Sequence, residues 1–206
     1  MTVIPGSAST LVRDTILATG QRLMAAKGFS AVGLNEILTS AGVPKGSFYH
    51  YFGSKDAFGE AMLATYFDAY LADLDVMLQA PGLTMAQRLT AYFRAWQQTQ
   101  SFFDCQGKCL AVKMAAEVAD LSEPMRLAIK RGTAGIVDRL ARAIAAGVAE
   151  GSLALDGDAD KDAEKTARSL YQLWLGASVM VKIERDSAPF DMALATTRQL
   201  LHLPPG

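Results

Sequence analysis

The chain has 206 residues, a hydrophobic fraction of 50%, a charged fraction of 20% and a formal net charge of −1. This composition supports a buried core and excludes a chain that coats nucleic acid with its whole surface, so any contact with DNA must be local. The charge is uneven, because residues 1–55 carry five basic and two acidic side chains, a net +3, and the remainder carries −4. The N-terminal part is therefore the electropositive one.

The first residues and the cysteine content favour a cytoplasmic location. The opening Met-Thr-Val-Ile-Pro-Gly-Ser has no basic leader region, and no later run approaches the roughly 20 apolar residues of a membrane helix. Two cysteines, Cys105 and Cys109, are too few for a disulfide scaffold in a chain of this size. We therefore expect a cytoplasmic protein without a membrane segment, whose thiols are reduced.

Apolar residues recur at helical spacing nearly throughout, and no alternating run is long enough for a convincing strand, so the sequence predicts an all-α fold. Gly28 is expected to close the first helix, Ser54 or Gly53 to cap the fourth, and Thr84-Met-Ala-Gln87 to form a capping box at the fifth. The predicted helices span about 9–27, 34–41, 45–51, 55–79, 84–103, 108–119, 122–150, 158–185 and 189–201.

Helices two and three are joined by the tight turn Ala41-Gly42-Val43, which predicts a helix-turn-helix. The third helix combines aromatic residues with hydroxyl, imidazole and ammonium donors suited to phosphates and base edges. The alternative is an ordinary hairpin in a core, which would bury these polar groups. We expect Phe48 and Phe52 in the core and leave Tyr51 open. The pattern predicts a small DNA-binding domain at 1–54 and a larger helical domain at 55–206.

The order of elements and the stretch Ala41-Gly-Val-Pro-Lys-Gly-Ser-Phe-Tyr-His-Tyr-Phe-Gly-Ser-Lys55 resemble the tetracycline-repressor (TetR) family, most strongly over residues 13–63. The resemblance implies an all-α homodimer whose first three helices bind double-stranded operator DNA. It also implies a C-terminal domain that holds a small-molecule inducer, with the last two long helices at the dimer interface. The residues that it assigns to DNA contact are Lys45, Gly46, Ser47, Tyr49, His50 and, at a phosphate, Lys55. Gly33 departs from the pattern, because relatives often carry Ser or Thr there.

A second resemblance lies in the C-terminal part. This part is similar to the N-ethylmaleimide-reductase repressor subgroup in two stretches. The first is Gly107-Lys-Cys-Leu-Ala-Val-Lys-Met-Ala-Ala-Glu-Val-Ala-Asp-Leu-Ser-Glu-Pro-Met-Arg126, and the second is Leu170-Tyr-Gln-Leu-Trp-Leu-Gly-Ala177 with Lys182. That subgroup senses electrophiles and oxidants through cysteine. The resemblance implies that Cys109 is the sensing thiol, whereas Cys105 has no obvious counterpart.

The chemistry around Cys109 fits a reactive thiol. At the first turn of helix six, the helix dipole and the ammonium groups of Lys108 and Lys113 would favour the thiolate. The alternative is a small buried hydrophobe. Cys105 is either a resolving thiol or a bystander, and no histidine is near in sequence to complete a metal site. Lys182 either pairs with an acid such as Glu184 or faces the pocket and Cys109.

The aromatic and methionine residues of the C-terminal part are expected to be mostly core, and some are candidates to line an apolar pocket: Phe93, Trp96, Phe102, Phe103, Met114 and Trp174.

Taken together, the motifs and the two resemblances predict a repressor that is released when an electrophile or oxidant modifies Cys109. A repressor induced by a reversibly bound apolar molecule is the alternative. An enzyme with Cys109 as nucleophile lacks a recognisable histidine partner, so we expect no enzymatic activity, no cofactor and no metal.

Overall fold

The fold was obtained as a computed structural model, which describes residues 8–99, 110–157 and 159–203. These residues form helices and no strand, so the predicted all-α fold is confirmed. The helices are α1 (Ala8–Lys27), α2 (Leu34–Ala41), α3 (Lys45–Tyr51), α4 (Lys55–Leu78), α5 (Met85–Thr99), α6 (Leu110–Leu121), α7 (Glu123–Ala149), α8 (Ala159–Glu184) and α9 (Ala188–Leu200).

Local sequence signals set several helix ends as predicted. Gly28, with φ of 91°, follows the last residue of α1 in a conformation that side chains disfavour. Ser54 Oγ accepts the backbone N–H of Ala57 at 3.0 Å and so caps α4. The capping box before α5 is complete, since Thr84 N donates to Gln87 Oε1 at 2.9 Å and Gln87 N donates to Thr84 Oγ1 at 3.3 Å.

The beginning of α7 depends on backbone rather than on a side-chain cap. Ser122 precedes α7 as predicted, and its carbonyl accepts the N–H of Arg126 at 2.9 Å. The Ser122 hydroxyl, however, is buried and has no hydrogen-bond partner among the described residues. The predicted end of helix five and start of helix six, at 100–109, lie outside those residues.

The chain forms two compact units. Unit 1 contains the described residues of 1–67 and 106–130, and unit 2 contains those of 68–105 and 131–206. Packing therefore groups α6 and the first residues of α7 with the helix-turn-helix. The predicted domain boundary between residues 54 and 55 falls within unit 1 and stays a prediction of functional organisation.

The core of unit 1 depends on close helix contacts at glycine. A Cβ on Gly20 of α1 would lie 2.3 Å from the ring of Phe58, and one on Gly59 would lie 2.4 Å from Met125 Sδ and 2.8 Å from the Phe29 ring. Since neither glycine has a side chain, aromatic and methionine side chains pack directly on the helix backbone. The fully buried side chains of this unit include Ile16, Met24, Ile37, Phe48, Phe58, Met62 and Met125.

Unit 2 is built around stacked aromatic rings. Phe93 of α5 stacks on Trp174 of α8 with ring centroids 4.9 Å apart, and Trp174 stacks on Phe190 of α9 at 5.7 Å. All three side chains are buried, so this stack joins α5, α8 and α9. Within the described residues, no helix has the length and apolar character needed to cross a membrane.

Candidate DNA-binding and sensing sites

Helix α3 is held by one apolar side chain. Phe48 is fully buried, and its ring packs against those of Phe52 at 5.3 Å and Phe58 at 5.6 Å between centroids. The helix begins after Pro44, whose fixed φ suits a helix start, and ends before the extended residue Phe52. These anchors fix which side of α3 faces the core of unit 1.

The opposite side of α3 presents the predicted DNA-contacting residues. Lys45, Gly46, Tyr49 and His50 are exposed, with Tyr49 at 55%, and Ser47 is half-exposed. A Cβ on Gly46 would meet no atom within 4 Å, so a ligand backbone can approach the helix closely there. This exposed polar face excludes a core hairpin that buries its polar groups.

Tyr51, which the sequence left open, contacts the first helix. Its hydroxyl lies 3.1 Å from Ser9 Oγ, within hydrogen-bonding distance. Nearby, the guanidinium of Arg13 lies 5.5 Å from the centroid of the buried Phe52 ring. These contacts fasten the end of α3 to α1.

Lys55 has an intramolecular role in addition to its predicted phosphate contact. Its Nζ donates to the carbonyl of Phe29 at 2.9 Å and lies 4.5 Å from the centroid of the Phe29 ring. The residue is half-exposed, and an ammonium carries three donors, so one internal bond leaves capacity for another acceptor. The phosphate contact stays a prediction.

Gly33 stands at the N-cap of α2 without a capping side chain. Its φ of −79° and ψ of 151° are ordinary extended values, and no side-chain oxygen caps the helix. A Cβ at Gly33 would meet no atom within 4 Å. The cap hydroxyl that relatives often carry therefore has room here but is missing.

The predicted sensing residues are only partly described. Cys105, Cys109 and Lys108 lie outside the described residues, as do the pocket candidates Phe102 and Phe103. Lys113 is exposed on α6 in unit 1. In the part of the chain that the structure describes, no group of three or more His, Cys, Asp or Glu side chains is placed to hold a metal ion.

Lys182 is half-exposed in the last turn of α8, in unit 2. The structure gives Lys182 no ion pair with Glu184 or with any other described acid. The pairing proposed from sequence is therefore not formed among these residues. Its predicted approach to Cys109 stays a prediction.

Four pocket candidates are described, and all are core residues. Phe93, Trp96 and Trp174 are buried in unit 2, and Met114 is buried in unit 1. Both indole N–H groups donate hydrogen bonds inside the core. Trp174 Nε1 donates to Thr197 Oγ1 at 2.9 Å, and Trp96 Nε1 donates to a serine hydroxyl of α8. A surface groove of about 720 Å³ in unit 2 is lined by other residues, among them Thr90, Arg94, Gln98 and Arg198.

One residue of unit 1 was missed from the sequence. Glu117 of α6 accepts hydrogen bonds from the backbone between α1 and α2, 87 to 88 residues away in the chain. An acid on an amphipathic helix looks like any solvent-facing residue, so no local pattern indicates this contact. The glutamate does lie within the stretch 107–126 that carries the second resemblance.

Comparison with known proteins agrees with this architecture. Residues 16–62 match the family of bacterial regulatory proteins of the tetR type, and residues 86–197 match the tetracyclin repressor-like C-terminal domain. The chain is 42% identical to the HTH-type transcriptional repressor NemR of Escherichia coli K12, over 93% of this chain and 94% of NemR. It is 31% identical to the HTH-type transcriptional repressor DhaR of Mycobacterium sp. GP1, over 94% of each.

A solved structure extends the match. The crystal structure of the reduced form of E. coli NemR superposes with a TM-score of 0.84 and 40% identity, covering 95% of this chain and all of that one (100%). With the N-terminal and C-terminal family matches on one chain, and an exposed polar face on α3, the protein is a transcriptional repressor of the TetR family, similar to NemR.

Proposed function

We propose that this repressor binds a near-palindromic operator as a homodimer and leaves it when an electrophile or oxidant modifies Cys109. The observation that carries the DNA-binding part is the exposed polar face of α3 over its buried Phe48 anchor. In a symmetric dimer, two such helices enter major-groove faces about one helical turn apart, which requires symmetric half-sites.

An exposed apolar stripe on α8 supports dimerisation. Four exposed residues recur at helical spacing on one side of α8: Gly176, Val179, Met180 and Ile183. A stripe of this kind on a helix end is typical of an interface rather than of a solvated face. It lies on one of the two helices that the family resemblance assigns to dimer contact.

The thiol chemistry follows from the sequence around Cys109. The thiolate sulfur adds to the electron-poor carbon of an α,β-unsaturated carbonyl, forming an S–C bond, and the resulting carbanion takes a proton from water. Hypochlorous acid instead oxidises the thiolate by two electrons: the S–O bond of a sulfenic acid forms, the O–Cl bond breaks, and chloride leaves. Cations at Lys108 and Lys113 and a helix N-terminus favour the reactive thiolate.

The position of α6 supports a link between modification of Cys109 and release of DNA. Cys109 directly precedes Leu110, the first described residue of α6, and α6 belongs to the unit that contains the helix-turn-helix. An adduct at residue 109 adds bulk before the buried Leu110. We therefore expect modification to shift the population of unit 1 away from the conformation that binds DNA.

The test compares Cys109→Ser with Cys105→Ser in the full-length protein, treated with N-ethylmaleimide and then with hypochlorite. Gel shift on a duplex identified by footprinting should show that Cys109→Ser binds DNA but ignores both reagents, and that Cys105→Ser remains responsive. A normally inducible Cys109→Ser variant would contradict the cysteine mechanism and favour a reversibly bound inducer. Equal, weak binding to every duplex would contradict operator recognition itself.

A further inference from the structure

Glu117 of α6 holds the segment that joins α1 to α2. Its Oε2 accepts the backbone N–H of Phe29 at 3.0 Å, and its Oε1 accepts the N–H of Ser30 at 2.7 Å. Lys55 completes the contact from the start of α4, because its Nζ donates to the Phe29 carbonyl. We call this arrangement of Glu117, Lys55 and the Phe29–Ser30 backbone the Glu117 clasp.

The clasp acts on the entry to the helix-turn-helix. Phe29 and Ser30 lie between the end of α1 at Lys27 and the first residue of α2, Leu34. The Phe29 side chain is buried, and its ring lies against Gly59 in the same cluster as Met125. Fixing the backbone at Phe29–Ser30 therefore helps to fix where α2 begins, and α2 supports the recognition helix α3.

Gly28 leaves the room that the clasp needs. A Cβ on Gly28 would lie 3.0 Å from Glu117 Oε2, the oxygen that accepts the N–H of Phe29. Gly28 thus has two functions, since it also adopts the positive φ that closes α1. A side chain at Gly28 would crowd this oxygen, so the glycine favours the approach of the carboxylate to the two amide groups.

The position of the carboxylate depends on how α6 is seated. Leu110, Met114 and Val118 recur every four residues and are fully buried, so they fix the rotation of α6 within unit 1. Glu117 is adjacent to this buried stripe and is half-exposed. A rotation or shift of α6 would therefore move the carboxylate away from both amides.

The carboxylate is charged at neutral pH. Burial raises the pKa of Glu117, but hydrogen bonds from Ser30 and Phe29 and the positive charge of Lys55 outweigh burial, so the pKa lies below its ordinary value of 4.5. Hydrogen bonds to a charged acceptor are stronger than neutral ones. Glu117 is thus a charged acceptor for both amides at neutral pH.

We propose that Glu117 is a positioning residue that holds α2 and α3 in the DNA-binding conformation, and that displacement of α6 opens this contact. The second part rests on the proposed function, in which an adduct at Cys109 displaces α6. The first part does not, because it concerns operator affinity without any inducer.

The test uses Glu117→Gln in the full-length dimer, with Asp120→Asn as the charge-matched control. Asp120 is an exposed acid three residues further along α6, and no hydrogen bond or ion pair involves it among the described residues. Removing a negative charge from a DNA-binding protein strengthens binding through charge alone. The clasp predicts the opposite sign for Glu117→Gln, about tenfold weaker operator binding, because a neutral amide replaces a charge-assisted acceptor.

Two further measurements separate positioning from a loss of folding. The salt dependence of binding should keep its wild-type slope in Glu117→Gln, since no phosphate contact is removed. Amide hydrogen exchange should become faster at Phe29 and Ser30 while core amides of unit 2 keep their protection. If Glu117→Gln does not fold, Glu117→Asp keeps the charge but is too short to reach both amides, and it should show the same weakening.

Operator affinity that is unchanged or higher in folded Glu117→Gln would overturn the proposal. Failure of the cysteine mechanism would be recognised separately, as normal induction of Cys109→Ser. If the clasp is what modification opens, N-ethylmaleimide should weaken operator binding by a smaller factor in Glu117→Gln than in wild type. An undiminished factor would overturn the second part alone.

Discussion

The indole Nε1 of Trp96 donates a hydrogen bond to Ser178 Oγ at 2.9 Å, and so links α5 to α8 inside the core of unit 2. The same hydroxyl donates to the carbonyl of Trp174 at 2.7 Å, and Ser178 is only 1% exposed. Both functions of the hydroxyl, donor and acceptor, are therefore used where water has no access.

Ser178→Ala should destabilise the protein by about 2 kcal/mol, because the buried N–H of Trp96 loses its acceptor. Ser122→Ala is the matched control, since the Ser122 hydroxyl is also buried but has no partner among the described residues. Its effect should be close to zero, because removing a buried hydroxyl without a partner loses no hydrogen bond. Urea unfolding measures both variants, and equal destabilisation would contradict the assigned role of Ser178.

Asp75→Asn should lower the free energy of unfolding by about 1 kcal/mol, a value reduced for the partial exposure of the pair to solvent. Asp75 accepts two hydrogen bonds from Arg139, at 2.7 and 2.9 Å, which join α4 to α7 within unit 2. Asp138→Asn removes an exposed acid that pairs with Arg142 within α7, and should have a smaller effect.

The contribution of Asp75 should also depend on pH. The hydrogen bond from Arg139 lowers the pKa of Asp75 below its ordinary value of 3.8, against the opposing effect of burial. A lowered folded-state pKa means that the stabilisation is complete above 3.8 and is lost as the pH falls through the folded-state pKa. The difference between wild type and Asp75→Asn should therefore be constant near neutrality and shrink in acid. A difference that grows in acid would contradict this sign.

Lys45→Ala should weaken operator binding and reduce the salt slope by about one unit, because Lys45 is exposed on the polar side of α3 that we propose contacts DNA. Lys165→Ala removes the same charge from an exposed position on α8, in unit 2. That control should leave the slope unchanged. Fluorescence anisotropy over a series of salt concentrations measures both, and equal slopes for the two variants would remove Lys45 from the contact set.

Lys55→Ala should differ from Lys45→Ala, because it removes an internal bond as well as the predicted phosphate contact. The loss of the bond to the Phe29 carbonyl should lower thermal stability, whereas Lys45→Ala should leave it nearly unchanged. A melting curve identical to wild type, together with a reduced salt slope, would assign Lys55 to phosphate binding alone.

Ile183→Glu should convert the dimer to monomers and abolish operator binding at nanomolar protein. The side chain is 67% exposed in the described chain, so the charge should leave the core of a protomer intact and act on the proposed dimer interface. Val76→Glu is the control, since Val76 of α4 is 72% exposed and lies outside the α8 stripe. Sedimentation measures the oligomeric state of both variants. A dimeric Ile183→Glu variant would place the interface elsewhere.

Local chemistry made the helices predictable. Gly28 and the Thr84–Gln87 box were identified because a helix end is set by residues within one turn of it. Ser122 shows the limit of such signals, because its position was predicted correctly but its hydroxyl does not cap the helix. The sequence predicted that α3 has an apolar aromatic side and a side of polar donors, but only the packing of Phe48 on Phe58 shows how the helix is rotated.

Contacts between distant segments could not be predicted. Glu117 meets Phe29 across 88 residues, and the sequence holds no periodic or charge pattern that pairs the two. The same holds for Lys55, whose position suggested a phosphate but whose ammonium also finds a backbone carbonyl. Such pairs depend on how whole helices are seated, which is a property of tertiary packing.

The residues that make up unit 1 determine where this chain can be joined to another repressor in a chimera. A chimera joined after residue 54 would carry the operator-reading helix into a foreign protein without Glu117 and without Met125, which packs on Gly59 and Phe29. Residues 1–54 would then need a helix equivalent to α6 from the recipient protein. Exchanging residues 1–67 together with 106–130 would transfer operator specificity with its own supporting helix, so interchangeable parts of this chain are discontinuous in sequence.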